Sequence, residues 1–373
     1  MARKIVITGG HATPAIAVIK KLLEQGNWDV HFLGRRYETE GEQSLSLEAK
    51  QIPELGVRFY PLTAGKWKPK LRHWALADFC RLPYGFLQSL YYLVKIRPQV
   101  ILSFGGYLSV PVVIAGWFLR IPSLTHEQTT VVGMGTNINQ YFSKKIAVSW
   151  PDLSWRFPSN KVVLTGNPIS HEFLRKDESI WRLFHFNRRL PLILITGGKQ
   201  GSHAINEAVS ECLYPLLSKY NIFHQTGHQQ GTGDFEKLEN KRTKLPVRAQ
   251  KRYHLKKFLY GREWGTLLAK ADLVISRSGI NILTELASLG KPMLLVPFPW
   301  LYHNEQYSNA VFFKKRGVAE IILQQQLTPN RLCREIEKMF ADMNTYRRNG
   351  NKIKKLVKKD AAQKIIEEIQ KIS

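Results

Sequence analysis

The chain is poor in cysteine and short of acids. Cys80, Cys212 and Cys333 lie far apart, with no CxxC pair and no histidine at ligand spacing. That pattern argues against a disulfide framework or a zinc site, and for a reducing cytoplasm. Asp and Glu number 29 against 55 Lys and Arg, a formal net charge of +26. Such a surface draws in polyanions, whether nucleic acid, anionic lipid headgroups or phosphorylated substrates, and charge alone does not choose among them. Long apolar runs are missing as well: VPVVIAGWFL ends at Arg120, short of the roughly 18 residues needed to span a bilayer. The first strand pattern, RKIVITGG, follows the initial Met-Ala directly, so no secretory signal is expected. No GxxxxGK[ST] loop occurs, and the first glycine loop neither fits GxGxxG nor is followed by an acidic residue at the ribose position. ATP hydrolysis by a P-loop and a dinucleotide-dependent dehydrogenase are thereby disfavoured.

What is present is a repeated α/β pattern. With 44% apolar and 23% charged residues, the composition is that of a globular chain long enough for about two domains. Short apolar runs (KIVIT, WDVHFLG, VRFYPL, QVILSF, PSLTH, KKIAVSW) alternate with helical patterns such as 14–25 and 106–119. This is the signature of parallel sheets covered on both faces. KVVLTGNPI closes the first half, and HEFLRKDESIWRLFHFNRRL reads as a polar helical connection. The pattern restarts with the strand PLILITGG, a helix over SHAINEAVSECLYPLLSKY, and the strands NIFHQTG, ADLVISRSG and KPMLLVPFP. Strand-ITGG-helix thus occurs at 5–25 and again at 193–220, which predicts two Rossmann-like domains. The expected boundaries are 1–165, a linker over 166–190, a second domain over 191–345, and one basic amphipathic helix over 346–373. The apolar stripe of that helix is Ile353, Leu356, Val357, Ala361, Ile365, Ile366 and Ile369.

Three glycine loops follow strands: TGGHATP (8–14), SFGGYLSVP (103–111) and TGGKQGS (196–202). Glycines let the backbone approach a phosphate, and the helix that follows offers unpaired N–H groups and the positive end of its dipole. The histidine in the first loop, His11, titrates near neutrality when unperturbed and is a candidate base; otherwise it merely hydrogen-bonds its loop.

Taken in order, these segments carry a resemblance. GGH before Pro14, FGGYLSVPVVIA, HEQTTVVGMGTNINQYFSKKIAVSW, TGNP, GGKQGSHAIN, HQTG, ADLVISRSGINILTELASLGKPMLLVPFP and NEQYSNA, spread over residues 3–320, resemble the MurG family of peptidoglycan glycosyltransferases. The resemblance implies a GT-B fold with two parallel sheets facing across a cleft and a C-terminal helix packing back on the N-terminal domain. It implies transfer of N-acetylglucosamine from UDP-N-acetylglucosamine to lipid I with inversion, forming lipid II. No Asp-x-Asp occurs anywhere in the chain, so the implied mechanism uses no metal, and no cofactor is expected. A base must take the acceptor proton, and the departing diphosphate must be neutralised by amides and a cation.

Carried over residue by residue, the resemblance implies catalytic roles for His11 and Glu127. It implies acceptor contacts from Gly9, Gly10, Thr13, Gly105, Gly106, Tyr107, Ser109, Gln128 and Thr129. It implies donor contacts from Asn167, Ser170, Gly198, Lys199, Gln200, Gly201, Ser278, Gly279, Thr284, Glu285, Gln306 and Asn309. A carboxylate such as Glu285 offers two acceptor oxygens to the vicinal diol of a ribose. Departures stand beside these matches. The family's arginine after TGNP is replaced at Ser170, its serine in the third loop is Lys199, and its asparagine after HEQ is Thr129. Lys199 is the candidate to supply the cation that the missing arginine would bring. The first loop is also shorter than the family's, which leaves fewer backbone amides for the acceptor diphosphate.

Over 66–97, basic residues alternate with Trp67, Trp74, Phe79, Phe86, Tyr91 and Tyr92. Aromatic rings settle at headgroup depth and Lys and Arg attract anionic lipids, so this stretch is expected to dock on the cytoplasmic face of the plasma membrane as a peripheral contact. An ordinary core helix with a cationic outer face is the alternative. A nucleic-acid-binding protein is the rival class, but the aromatics form no RNA-stacking motif and the glycine loops would go unexplained, so no nucleic-acid partner is expected. Among enzymes, a related transferase for another lipid, or an inactive UDP-sugar-binding homologue, remains open.

Overall fold

The computed structural model describes residues 2–37, 45–63, 76–170, 179, 184, 186–228, 231–299 and 304–373, with backbone only over 76–82. Two compact units emerge: Met1–Ile169 together with Lys358–Ser373, and Ser170–Val357.

The first unit is built on seven parallel strands: β1 (Arg3–Thr8), β2 (Trp28–Gly34), β3 (Arg58–Pro61), β4 (Val100–Ser103), β5 (Ser123–Glu127), β6 (Lys145–Val148) and β7 (Val162–Leu164), in the order β3-β2-β1-β4-β5-β6-β7. Its helices are α1 (Ala12–Gln25), α2 (Leu47–Glu54), α3 (Leu76–Ile96), α4 (Ser109–Phe118) and α5 (Met134–Phe142). The second unit has a six-stranded parallel sheet of β8 (Leu192–Thr196), β9 (Asn221–Gln225), β10 (Tyr253–Lys256), β11 (Leu273–Ser276), β12 (Met293–Leu295) and β13 (Ala319–Ile321), ordered β10-β9-β8-β11-β12-β13. Around it lie α6 (His203–Glu211), α7 (Leu213–Lys219), α8 (Asp234–Thr243), α9 (Val247–Gln250), α10 (Gly261–Lys270), α11 (Ile280–Leu289), α12 (Glu305–Lys315), α13 (Pro329–Ala341) and α14 (Met343–Lys354). A last helix, α15 (Ala361–Ile372), returns to the first unit.

The apolar runs are continuous rather than alternating because both faces of each sheet are covered. Ile5 and Ile7 of β1 pack with Val18, Ile19 and Leu22 of α1 and with Ile365, Ile366 and Ile369 of α15. Val6, between them, points the other way, to Leu93 and Ile96 of α3 and Val112 of α4. In the second unit, Ile193 and Ile195 of β8 bury against α6, α7 and α13 through Ile205, Val209, Leu216 and Ile336.

Three expectations change. The single helix expected over 346–373 is two, α14 and α15, separated at 355–360. Its stripe is continuous in sequence, but Met343 and Tyr346 enter the core of the second unit while Ala362 to Ile372 enter that of the first. The helix expected over 202–220 also divides, at Cys212, because Pro215 has no N–H to continue the ladder. Strands β10 and β13, YHLK and AEI, lack a continuous apolar run and were not expected. The helical connection read over 171–190 lies outside the described residues except at 179, 184 and 186–190.

Ile365 is fully buried against β1. Ile365→Ala should cost the first unit about 2–5 kcal/mol. Hydrogen exchange should therefore quicken in β1 and leave β8 unchanged; equal quickening in both strands would contradict this packing.

Candidate active site

In an open parallel sheet, ligands bind beyond the carboxyl ends of the strands, where the strand order reverses. The reversal lies between β1 and β4 in the first unit and between β8 and β11 in the second. All three glycine loops follow one of these strands.

In the first unit, Thr8 pairs with Ser103 and Ser103 with Thr125, so the loops after β1, β4 and β5 leave side by side. They touch through backbone. Gly10 N–H donates to the Gly105 carbonyl at 3.3 Å and Phe104 N–H to Thr8 O at 2.8 Å. A Cβ on Gly9 would lie 2.9 Å from the Phe104 carbonyl carbon, and one on Gly135 only 2.4 Å from Gly106 O. A buried polar hub holds the second loop. Asn139 Nδ2 donates to Ser109 Oγ (2.8 Å) and Ser103 Oγ (3.2 Å), and Ser103 Oγ also accepts from Gly105 N–H. Ser109 Oγ donates to Gly106 O at 2.9 Å. Tyr107 packs against the hydrophobic layer, and Thr13 sits half-buried in the first turn of α1.

His11 precedes α1 and makes no side-chain cap bond. Burial holds its imidazole below the ordinary range; the charge of Glu127 pulls it upward and Arg35 pushes it down again. A neutral imidazole results, which is the state that accepts a proton. Glu127 is itself buried, and its carboxylate is satisfied. Oε1 accepts from Thr129 N–H (3.2 Å) and Thr129 Oγ1 (2.9 Å), and Oε2 from Gly133 N–H (2.9 Å) just before α5. A carboxylate at that helix N-terminus is favoured by the dipole. Gln128 Nε2 donates to Phe104 O at 3.0 Å, and its Oε1 is buried without a hydrogen-bond partner. Gln128 thus ties its loop to the one after β4, and Thr129 braces its own. His126, to which sequence reasoning assigned no role, is fully buried, donates from Nε2 to Gly166 O at 2.9 Å, and is pushed down to about 4 by burial. Only its place beside Glu127 in HEQ could have signalled it.

In the second unit, Thr196 pairs with Ser276, which sets the loops 197–202 and 277–279 next to each other. Gly198 N–H donates to Thr196 Oγ1 (3.0 Å), Gly201 N–H to Gly198 O (3.1 Å), and Ser202 Oγ caps α6 by accepting from Ile205 N–H. Lys199 and Gln200 occupy the tip; the Lys199 carbonyl accepts from His228 N–H at 2.9 Å. Beneath the loop, Asn206 Nδ2 donates to Thr226 O (3.1 Å) and Asp234 Oδ2 (2.8 Å), and its Oδ1 faces His224 Nε2 at 3.0 Å. Burial drives His224 to about 3, so it stays neutral.

Gly279 opens α11 with free space where a side chain would stand. Glu285 lies in that helix, and burial pushes its carboxyl up to about 7 against the opposing pull of the Trp264 indole N–H, 2.9 Å from Oε2. Thr284 turns inward, its Oγ1 donating to Ile280 O at 2.8 Å. Ser278 Oγ is buried without a hydrogen-bond partner, while Asn309 Nδ2 donates to Ser278 O at 3.3 Å. Gln306 Oε1 accepts from Phe298 N–H at 2.9 Å. Arg277, which sequence reasoning passed over, anchors this turn by donating to Val296 O and Gln324 Oε1. Of the remaining expected donor residues, Asn167 belongs to the first unit and is buried, and Ser170 begins the second.

Gly201 has φ +88, and a Cβ there would stand 2.1 Å from Thr226 O. Gly201→Ala should lower stability by at least about 2 kcal/mol. Gly198→Ala, at φ +84 but in open space, should cost roughly half of that. Thermal melts of the pair check the ordering, and equal losses would refute it.

Residues 7–148 match the glycosyltransferase family 28 N-terminal domain and residues 192–365 the glycosyltransferase family 28 C-terminal domain. The chain is 34% identical to UDP-N-acetylglucosamine–N-acetylmuramyl-(pentapeptide) pyrophosphoryl-undecaprenol N-acetylglucosamine transferase 2 of Bacillus anthracis, over 98% of this chain and 99% of that one. It is 32% identical to the corresponding transferase of Clostridium kluyveri, over 99% of each chain. Among solved structures, MurG of Acinetobacter baumannii matches with a TM-score of 0.75 at 23% identity, covering 99% of both chains. That match shows the fold to be GT-B.

Proposed function

The chain belongs to glycosyltransferase family 28, among the pyrophosphoryl-undecaprenol N-acetylglucosamine transferases, and we propose that it catalyses their reaction. N-acetylglucosamine passes from UDP-N-acetylglucosamine to the C4 hydroxyl of N-acetylmuramic acid in lipid I, and lipid II is formed. The observation that carries this reading is a histidine within reach of the Glu127 charge at the switch point of one sheet, with a glycine-rich strand-to-helix loop at the switch point of the other. His11 takes the proton of the acceptor hydroxyl as the oxygen attacks the anomeric carbon, with inversion. Glu127 orients the 129–133 loop and favours the imidazolium that forms. The departing diphosphate meets the positive end of α6 and the Lys199 ammonium, without a metal. Glu285 receives the ribose hydroxyls.

Labelled UDP-N-acetylglucosamine with lipid I as acceptor tests this. His11→Ala should cut kcat by about 100-fold or more, and Lys199→Ala should raise the donor KM. Because the imidazole sits below its ordinary value of 6.5, kcat at saturating donor should fall only on the acid side of that pH. A His11→Ala rate within a few-fold of wild type removes it as base; an unchanged donor KM removes Lys199; label passing to diacylglycerol and not to lipid I overturns the substrate.

We further propose a peripheral site on the cytoplasmic face of the membrane, through 66–97 and the helices beside it. Tyr84, Leu87, Tyr91 and Val94 stand exposed along α3, and Trp117 and Phe118 on the adjoining α4. Lys95 lies 5.8 Å from the Tyr91 ring. Trp67 and Trp74 lie outside the described residues, as does the side chain of Phe79. Among the described residues no helix is long and apolar enough to cross a membrane. Vesicles containing anionic phosphatidylglycerol should bind the chain, and a Tyr91→Asp, Phe118→Asp variant should bind them at least ten-fold less; equal binding counts against this surface.

A further inference from the structure

In the second unit's switch-point site burial pushes the Glu285 carboxyl up to about 7, and a neighbour already grips one of its oxygens. Trp264 lies in α10, the helix before β11, and is buried. Its Nε1–H donates to Glu285 Oε2 across 2.9 Å, while Oε1 has no hydrogen-bond partner among the described residues. An indole has a single donor and no acceptor, so this contact has one polarity only: the carboxylate must receive. We propose that Trp264 is a positioning residue of the donor site, fixing Oε2 of Glu285 so that Oε1 and the remaining lone pair of Oε2 are presented to the hydroxyls of a nucleoside ribose. The inference rests on the reading of Glu285 as the ribose acceptor.

Two consequences follow from the bond. The side chain is held in one rotamer, so the ligand does not have to order it. The bond also favours the ionised carboxylate against burial, and ionised carboxylates accept from both hydroxyls whereas protonated ones must donate at one oxygen. Burial and the indole pull in opposite directions on that group, so the bond is what opposes burial there.

Calorimetric titration of the full chain with UDP, needing no acceptor, tests this. Trp264→Phe keeps an aromatic ring in the site and deletes the N–H. UDP should bind it about ten-fold more weakly at pH 7. The deficit should shrink to two- or three-fold at pH 9, where Glu285 ionises without help. Wild-type chain should prefer UDP over 2′-deoxy-UDP, and Trp264→Phe should lose most of that preference. The preference is a ratio read on the folded fraction, so a less stable variant still decides. Unchanged affinity, pH dependence and preference in Trp264→Phe, with Glu285→Gln clearly weakened, overturn the role of Trp264 alone. Wild-type UDP affinity in Glu285→Gln overturns the ribose reading and this inference with it. Neither result bears on whether sugar reaches lipid I, which the labelled assay decides.

Discussion

Within each unit two stretches of backbone pass so close that a single methyl group would part them. Gly135 lies under the Gly106 carbonyl in one, and Gly201 against Thr226 and Gly227 in the other. Everything else at the switch points depends on this approach. The glycines let the loops fold down on one another; neighbouring strands, in register at Thr8 with Ser103 and at Thr196 with Ser276, deliver them together. The helices that follow then begin at the sheet edge, with their N–H groups turned outward. Close packing here is a geometric device, since side chains at these positions would push the amides away from any phosphate.

Three ionisable groups at the two switch points face the same cost of burial and meet it differently. His11 gives up its charge and remains a neutral base. Glu127 keeps its carboxylate supplied with three donors from its own loop, which ties its charge to the shape of that loop. Glu285 has one donor, the Trp264 indole, and sits near neutrality as a result. Satisfied and unsatisfied carboxylates therefore suit opposite tasks. The first braces a scaffold; the second retains capacity for hydroxyl donors that a ligand brings.

The last helix shows how the chain spends one apolar stripe on two cores. A continuous pattern of Ile and Val from 353 to 369 reads as one amphipathic helix, yet the break at 355–360 divides it between units. Tyr84, Leu87, Tyr91, Val94, Trp117 and Phe118 belong to neither core and stay exposed along α3 and α4.

Much was legible before any coordinates. The doubled strand-ITGG-helix pattern carries the two Rossmann-like units, because continuous apolar runs flanked by glycine turns have few alternatives to a parallel sheet. His11 was legible as a candidate base from its glycine loop after the first strand, whereas Glu127, Lys199 and Glu285 became candidates through the family resemblance of the motifs that hold them. The termini of long helices and the strands β10 and β13 were not legible, since YHLK and AEI carry charged or polar residues in place of a continuous apolar run, and one helical stripe cannot announce which core it will enter. Nor could the sequence tell which polar residues brace loops and which face outward: Gln128 turns inward to the Phe104 carbonyl, twenty-four positions away, a partner that only the fold brings near. The bond between Trp264 and Glu285, twenty-one positions apart on different helices, is of the same kind. Chain order determines which strands and loops exist, through local periodicity and turn chemistry. Protonation, polarity and pairing at the site were decided by tertiary structure, because burial and donor distance are properties of the packed chain.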